Sequence, residues 1–274
     1  MNDDTLATTR AVLRLAGREQ RRETDQVTVE EPLEIRLGPS PLAVTMRTPG
    51  HDRELAAGFC LTEGVIVDPD DLDRVEPCRE ADSGNVVVVT LAEQAAAHAG
   101  ERAEAARRDL FVSSSCGLCG KQSIDRIEQR IPPLGGGFTV PRELIIDLPR
   151  RMQEAQDSFR RTGGLHAAAI FDVDGGLRIL REDVGRHNAV DKVIGNQLLL
   201  GRLPADPAIL LVSGRTSFEI TQKAAMAGLT VICSISAASS LAIDFAERVG
   251  QTLVGFVRED RMNVYAHPER LELA

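Results

Sequence analysis

Two thiols three positions apart, in Ser113-Ser114-Ser115-Cys116-Gly117-Leu118-Cys119-Gly120-Lys121, are the sharpest chemical feature of the chain. Such a pair supports three chemistries. It can supply half of a tetrahedral zinc site, which then needs a second pair of ligands. It can cycle between dithiol and disulfide. Or one thiolate can act as a nucleophile and carry a sulfur atom as a persulfide. Cys60, Cys78 and Cys233 stand singly, with no histidine close in sequence, so no zinc is expected. The surrounding glycines and serines disfavour burial of the pair as plain hydrophobes. A cysteine opening a helix has its thiolate favoured by free N–H groups and the helix dipole, and Lys121 adds to that.

Three further stretches carry anion-binding chemistry. In Arg181-Glu182-Asp183-Val184-Gly185-Arg186-His187-Asn188 a strand ends and a helix begins, where α/β sheets place ligands. Arg186, His187 and Asn188 crowd the first turn, with helix capping by Asp183 as the plainer alternative. In Ser213-Gly214-Arg215-Thr216-Ser217-Phe218-Glu219 a buried strand again runs through small residues into a helix. Free backbone N–H groups there, with Arg215, Thr216 and Ser217, suit a phosphate. The pattern lacks the ending of a P-loop and the glycine fingerprint of a dinucleotide site. In Gly255-Phe256-Val257-Arg258-Glu259-Asp260-Arg261 two short strands flank a turn whose arginines can clamp a pyrophosphate in bidentate fashion. Solvated edge arginines are the plainer reading.

These residues need elements to hold them. Leu33, Ile35 and Leu37 alternate with polar residues as a half-buried strand, and Leu42 to Met46 continues as its antiparallel partner. Leu55, Ala56 and Phe59 lie on one helix face, with Asp52 placed to cap it. Val86–Leu91 reads as a strand and 92–108 as a helix. Residues 1–25 read as a flexible N-terminal tail, and 26–137 as an α+β subdomain ending with the cysteine loop and a following helix. Pro132-Pro133-Leu134-Gly135-Gly136-Gly137 marks the boundary. Beyond it, in 138–274, strands alternate with helices, predicting an α/β layer sandwich with a largely parallel sheet. The helices are expected at 148–161, 186–200, 217–227 and 240–249. Strands are expected at 166–171, 177–181, 209–212, 230–234, 252–257 and 263–265.

The chain has 274 residues, 43% hydrophobic, with 32 basic against 41 acidic side chains and a net charge of −9. That composition is globular. The acidic balance argues against binding nucleic-acid backbones, and an anionic ligand then needs a local basic pocket. No run of apolar residues reaches the length of a membrane span, so a soluble cytoplasmic protein is expected.

Taken together, RTPGHDRELAAGF, SSSCGLCGK, REDVGRHNAVDKVIG, SGRTSFEITQKA and LVGFVREDRMNVY, in this order over about residues 27–270, resemble the FdhD family of formate dehydrogenase accessory sulfurtransferases. The resemblance implies an enzyme that receives sulfur from a cysteine desulfurase. It would pass that sulfur to the molybdenum or tungsten bis(molybdopterin guanine dinucleotide) cofactor, bound as a client, before insertion into the formate dehydrogenase catalytic subunit. It implies Cys116 as persulfide carrier, with Cys119 as its partner, and a cofactor-binding stretch at Phe256, Val257, Arg258, Glu259, Asp260 and Arg261. It also implies a homodimer and a C-terminal part like the cytidine deaminase fold. The likeness does not extend to deamination, because Pro77-Cys78 lacks the second cysteine of a zinc deaminase's PCxxC. Two other functions compete: a thiol–disulfide oxidoreductase, which leaves the arginine turns unused, and a non-catalytic cofactor chaperone whose cysteines coordinate or protect the metal.

Overall fold

The computed structural model describes residues 6–78, 84–113, 131, 134, 137–205 and 207–272. The chain opens with a long antiparallel hairpin, β1 (Ala7–Ala16) and β2 (Glu19–Thr28), turning at Gly17 with φ +61°. The sequence pattern places a loose tail here. The hairpin buries almost no side chain; Arg14 pairs with Glu23 across it, and Arg10 stands opposite Asp25. Hydrophobic alternation, the main strand signal, is correspondingly weak.

A four-stranded sheet follows, in the order β4 (Ser40–Arg47), β3 (Glu31–Leu37), β6 (Val86–Leu91), β5 (Leu72–Pro77). The expected antiparallel β3–β4 pair is present. Leu33, Ile35, Val75, Val87 and Val89 are buried in one cluster with Leu55, Ala56 and Phe59 of helix α1 (Asp52–Thr62). Helix α2 (Glu93–Ser113) adds Ala95, Ala99, Ala103 and Ala106. Asp52 does not cap α1. Its carboxylate is held by Arg47 at 2.9 and 3.0 Å, and His51, with φ +58°, occupies the cap position.

Helices α3 (Arg142–Ala155) and α4 (Asp157–Thr162) replace the single expected helix. Pro149 sits inside α3, which is why the sequence pattern starts the helix only there. The six-stranded sheet is ordered β13 (Arg261–Ala266), β12 (Thr252–Arg258), β11 (Val231–Ser234), β10 (Ile209–Val212), β8 (His166–Phe171), β9 (Leu177–Asp183). It is mixed rather than largely parallel: only β10–β11 and β11–β12 run parallel. The reason is link length. The turn at 172–176 and the two residues Glu259-Asp260 can only reverse the chain, whereas parallel neighbours need a crossover of a dozen residues or more. Helix α5 (Arg186–Leu199) carries the chain from β9 past β8 to β10, while α6 (Phe218–Met226) and α7 (Ser240–Val249) provide such crossovers. A two-residue strand, β14 (Leu271–Glu272), pairs with β7 (Val140–Pro141) and ties the end of the chain to the start of α3.

Both faces of the large sheet's inner strands are covered, so β8, β10, β11 and β12 read as nearly continuous apolar runs, while the edge strands β9 and β13 do not. Leu210 and Val212 join the cluster of α1, α5 and the small sheet, while Ile209 and Leu211 pack with Ile145, Leu148 and Met152 of α3. The first cluster therefore runs through both halves of the chain. Where α1 crosses α5 the backbones touch. A Cβ on Gly58 would lie 1.9 Å from the Asp191 carbonyl oxygen, and one on Gly195 1.8 Å from that of Glu54. Ion pairs tie the two helices to their neighbours: buried Lys192–Asp183 at 2.7 Å joins α5 to β9, buried Lys223–Asp191 at 2.9 Å joins α6 to α5, and half-buried Arg181–Glu54 at 2.6 Å joins β9 to α1.

Candidate anion-binding edge and its cavity

Cys116 and Cys119, the expected carrier and its partner, lie outside the described residues. Cys60 and Cys233 are fully buried, and burial pushes both thiols far above the ordinary cysteine range. Neither can supply a thiolate.

The other expected residues gather along one edge of the large sheet. β8 runs against β10, so its first residue, His166, sits beside the C-terminal ends of β9 and β10. The loops leaving β10 and β11 meet there and are joined to each other, to β8 and to β12 by hydrogen bonds, with the start of α5 after β9 packed alongside. Thr216 N–H donates to Ala237 O, and Ser239 N–H to Thr216 O, both at 3.0 Å. Phe256 N–H donates to Ser236 O at 2.9 Å, and Ser213 Oγ accepts from Ala167 N–H at 2.9 Å. Gly255 is required at this crowded point, since a Cβ would fall 2.9 Å from the Tyr265 ring. The β12–β13 register slips between Gly255↔Asn263 and Arg258↔Arg261, and Phe256 in that bulge takes φ +52°. A left-handed phenylalanine is rare and costs free energy.

The two-residue turn Glu259-Asp260 sets Arg258 directly opposite Arg261, both exposed. Like charges opposed across a ladder repel, and neither guanidinium has an ion-pair partner among the described residues. Both line a cavity of about 1330 Å³ together with Val257, Glu259 and Asp260. Both also line a smaller one of about 270 Å³ with Phe256 and Asn263. The far wall of the large cavity is α3, α4 and the start of β8: Asp147, Arg150, Phe159, His166, with Ser213 from the loop after β10. Arg150 is neutralised by Asp147 and Glu154, and its guanidinium holds Asp147 down at about 2, helped by Arg151.

Arg186, His187 and Thr216 lie at the adjoining helix starts. Arg186 Cδ comes within 3.6 Å of where a Gly214 Cβ would stand, and His166 Nδ1 within 3.4 Å. Arg186 Nε, His187 Nε2 and Thr216 Oγ1 are buried with no hydrogen-bond partner among the described residues. Such atoms mark places for water or a ligand. Burial, then Lys223 and Arg186, lowers His187 to about 4, so it is neutral at pH 7. Ser217 occupies the cap position of α6, and Arg215 is exposed on the same loop. Asn188 faces inward instead. Its amide donates to Met46 O at 2.7 Å and Asp183 Oδ1 at 3.0 Å, and its oxygen accepts from Thr45 Oγ1 at 3.2 Å. It positions the α5 start against β4. Sequence reading missed His166, Phe159 and Asn263; the one available signal was a histidine opening an otherwise apolar strand. The chain's one His-x-Glu triplet, His267-Pro268-Glu269, is a surface ion pair at 2.8 Å.

No described helix is long and apolar enough to cross a membrane. The family model of the FdhD/NarQ family matches residues 28–272. A protein of Mycolicibacterium paratuberculosis named sulfur carrier protein FdhD is 48% identical over 254 residues, 90% of this chain and 92% of its own. One of Streptomyces coelicolor with the same name is 47% identical over 275 residues, covering 96% and 95%. The crystal structure of a putative formate dehydrogenase accessory protein from Desulfotalea psychrophila superposes with a TM-score of 0.78 at 25% identity, covering 97% of this chain and 100% of that one. The chain belongs to the FdhD/NarQ family.

Proposed function

We infer that this protein is a cytoplasmic sulfurtransferase serving formate dehydrogenase. Cys116 carries sulfur from a cysteine desulfurase to a molybdenum bis(molybdopterin guanine dinucleotide) cofactor seated at the arginine edge. The carrying observation is the opposed pair Arg258 and Arg261, uncompensated among the described residues and shared by two cavities. The cofactor's pyrophosphate links are the kind of anion that bidentate guanidiniums hold. The names its relatives bear support the sulfur-carrying half of the reading.

The Cys116 thiolate attacks the outer sulfur of the donor persulfide. A new S–S bond forms on Cys116 and the donor cysteine leaves as thiolate. Attack of the Cys119 thiolate on the inner sulfur then forms a Cys116–Cys119 disulfide and releases the outer sulfur as hydrosulfide beside the metal. An external dithiol reduces the disulfide. Arg258 and Arg261 hold the pyrophosphate, and Arg186, Arg215, Thr216 and Ser217 offer further donors along the same edge. A homodimer with paired edges suits a ligand with two nucleotide arms. The cytidine deaminase likeness belongs to this proposal too; helices on both faces of a mixed sheet, with α5 crossing past β8, support it.

Binding is tested with GDP-mannose, a guanosine pyrophosphate diester, by calorimetry. Arg258→Ala and Arg261→Ala should each weaken it by about ten-fold, the worth of one charge-assisted contact. Unchanged affinity in both would move the ligand away from this edge.

A further inference from the structure

We propose that His166 is a further ligand-contacting residue of the large cavity, and that it takes up a proton when an anionic ligand seats there. The inference rests on the reading that this cavity holds a phosphate-bearing ligand. His166 lines the cavity beside Ser213, on the wall formed by the start of β8, with Arg258 and Arg261 also on its lining. Its ring makes no hydrogen bond to a described residue, although it is only half exposed to solvent. The ring and the Arg186 side chain both pack beside Gly214, at 3.4 and 3.6 Å from where a Cβ would stand, so the imidazole and the guanidinium arm share one corner of the site.

The charges around the ring decide its protonation. Burial holds His166 below the ordinary histidine value, and Arg186, from α5, acts in the same direction by opposing a second positive charge. Asp183, its cross-strand neighbour on β9, pulls the other way. That carboxylate is already spent on Lys192 at 2.7 Å, Gly185 N–H at 2.8 Å and Asn188 at 3.0 Å. From β12 and β13 the cavity adds Arg258 and Arg261 against Glu259 and Asp260, and from α3 the mutually paired Arg150 and Asp147. Burial and Arg186 thus favour the neutral imidazole. A ligand bringing two phosphodiester charges offsets Arg186 and places opposite charge within reach of the ring, which favours the imidazolium. The imidazolium donates from both nitrogens, and its proton comes from solvent.

GDP-mannose is a suitable probe because its phosphates are diesters and do not titrate near neutral pH. Calorimetry of the full chain in buffers of different ionisation enthalpy reads the protons taken up on binding. The expected result is uptake of a fraction of a proton at pH 7 and none at pH 9, with affinity several-fold tighter at pH 6 than at pH 8. His166→Gln should still bind while losing the uptake and the pH dependence, and His98→Gln, exposed on α2 away from the cavity, should keep both. Binding without proton uptake, or uptake that persists in His166→Gln, would overturn the role of His166 and leave the cavity reading standing. No binding of GDP-mannose at any pH would overturn both.

Discussion

At Arg258 and Arg261 two like charges face each other across a ladder with no ion-pair partner among the described residues, which is the residue-scale basis of the proposed anion contact. Elsewhere the protein spends its charges on structure. Lys192 is 1% exposed and Asp183 is fully buried, and the pair joins the end of β9 to α5. Lys192→Met leaves Asp183 charged and without its counter-ion, and should cost about 3–5 kcal/mol in urea denaturation. A loss under about 1 kcal/mol would mean that the surrounding N–H groups suffice. Glu54 gives a pH signature. Burial alone would raise its pKa, but His51, Arg181 and Asn196 outweigh that and lower it from 4.5 to about 2. A carboxylate with a depressed folded value stabilises above its unfolded value. That stabilisation is lost as pH falls from about 4.5 towards 2. Denaturation midpoints of Glu54→Gln should therefore fall less steeply across that window than those of the unaltered protein.

At the scale of elements, the crossing of α1 and α5 rests on two glycines. Gly58→Ala and Gly195→Ala each drive a methyl into the opposing backbone and should destabilise by about 3 kcal/mol, the upper part of the overpacking range. Gly100→Ala, on α2 where a Cβ meets nothing within 4 Å, should instead stabilise by up to about 1 kcal/mol. Equal effects in thermal melts would contradict the backbone contact. These glycines also show why some elements were legible and others not. Strands β3, β4, β6, β8 and β10 and helices α5, α6 and α7 follow from hydrophobic period because each buries a face. The β1–β2 hairpin buries little, so its sequence looks like a tail. The sheet's mixed direction follows from link lengths rather than from any strand's composition. The Arg186, Thr216 and Arg258–Arg261 stretches were legible as candidate anion-binding turns between strands and their following elements. Their meeting at one edge was not, since it depends on β8 inserting between β9 and β10. Asn188 looked like a ligand donor because sequence cannot show which way a first-turn amide points.

For the whole molecule, one apolar cluster runs from the small sheet through α1 and α5 to the large sheet. Calorimetric unfolding should therefore show one cooperative transition; two resolved transitions would indicate that the two halves fold independently. A net charge of −9 opposes anions at long range, so the proposed anion contact has to draw on local geometry at the arginine edge. The central claim, that Cys116 carries sulfur, is most directly tested by intact-protein mass spectrometry after incubation with a cysteine desulfurase and cysteine. The account predicts a reducible gain of one sulfur atom in the unaltered protein and in Cys119→Ala, and no gain in Cys116→Ala. No gain in the unaltered protein with a competent donor, or a gain that survives in Cys116→Ala, would contradict it.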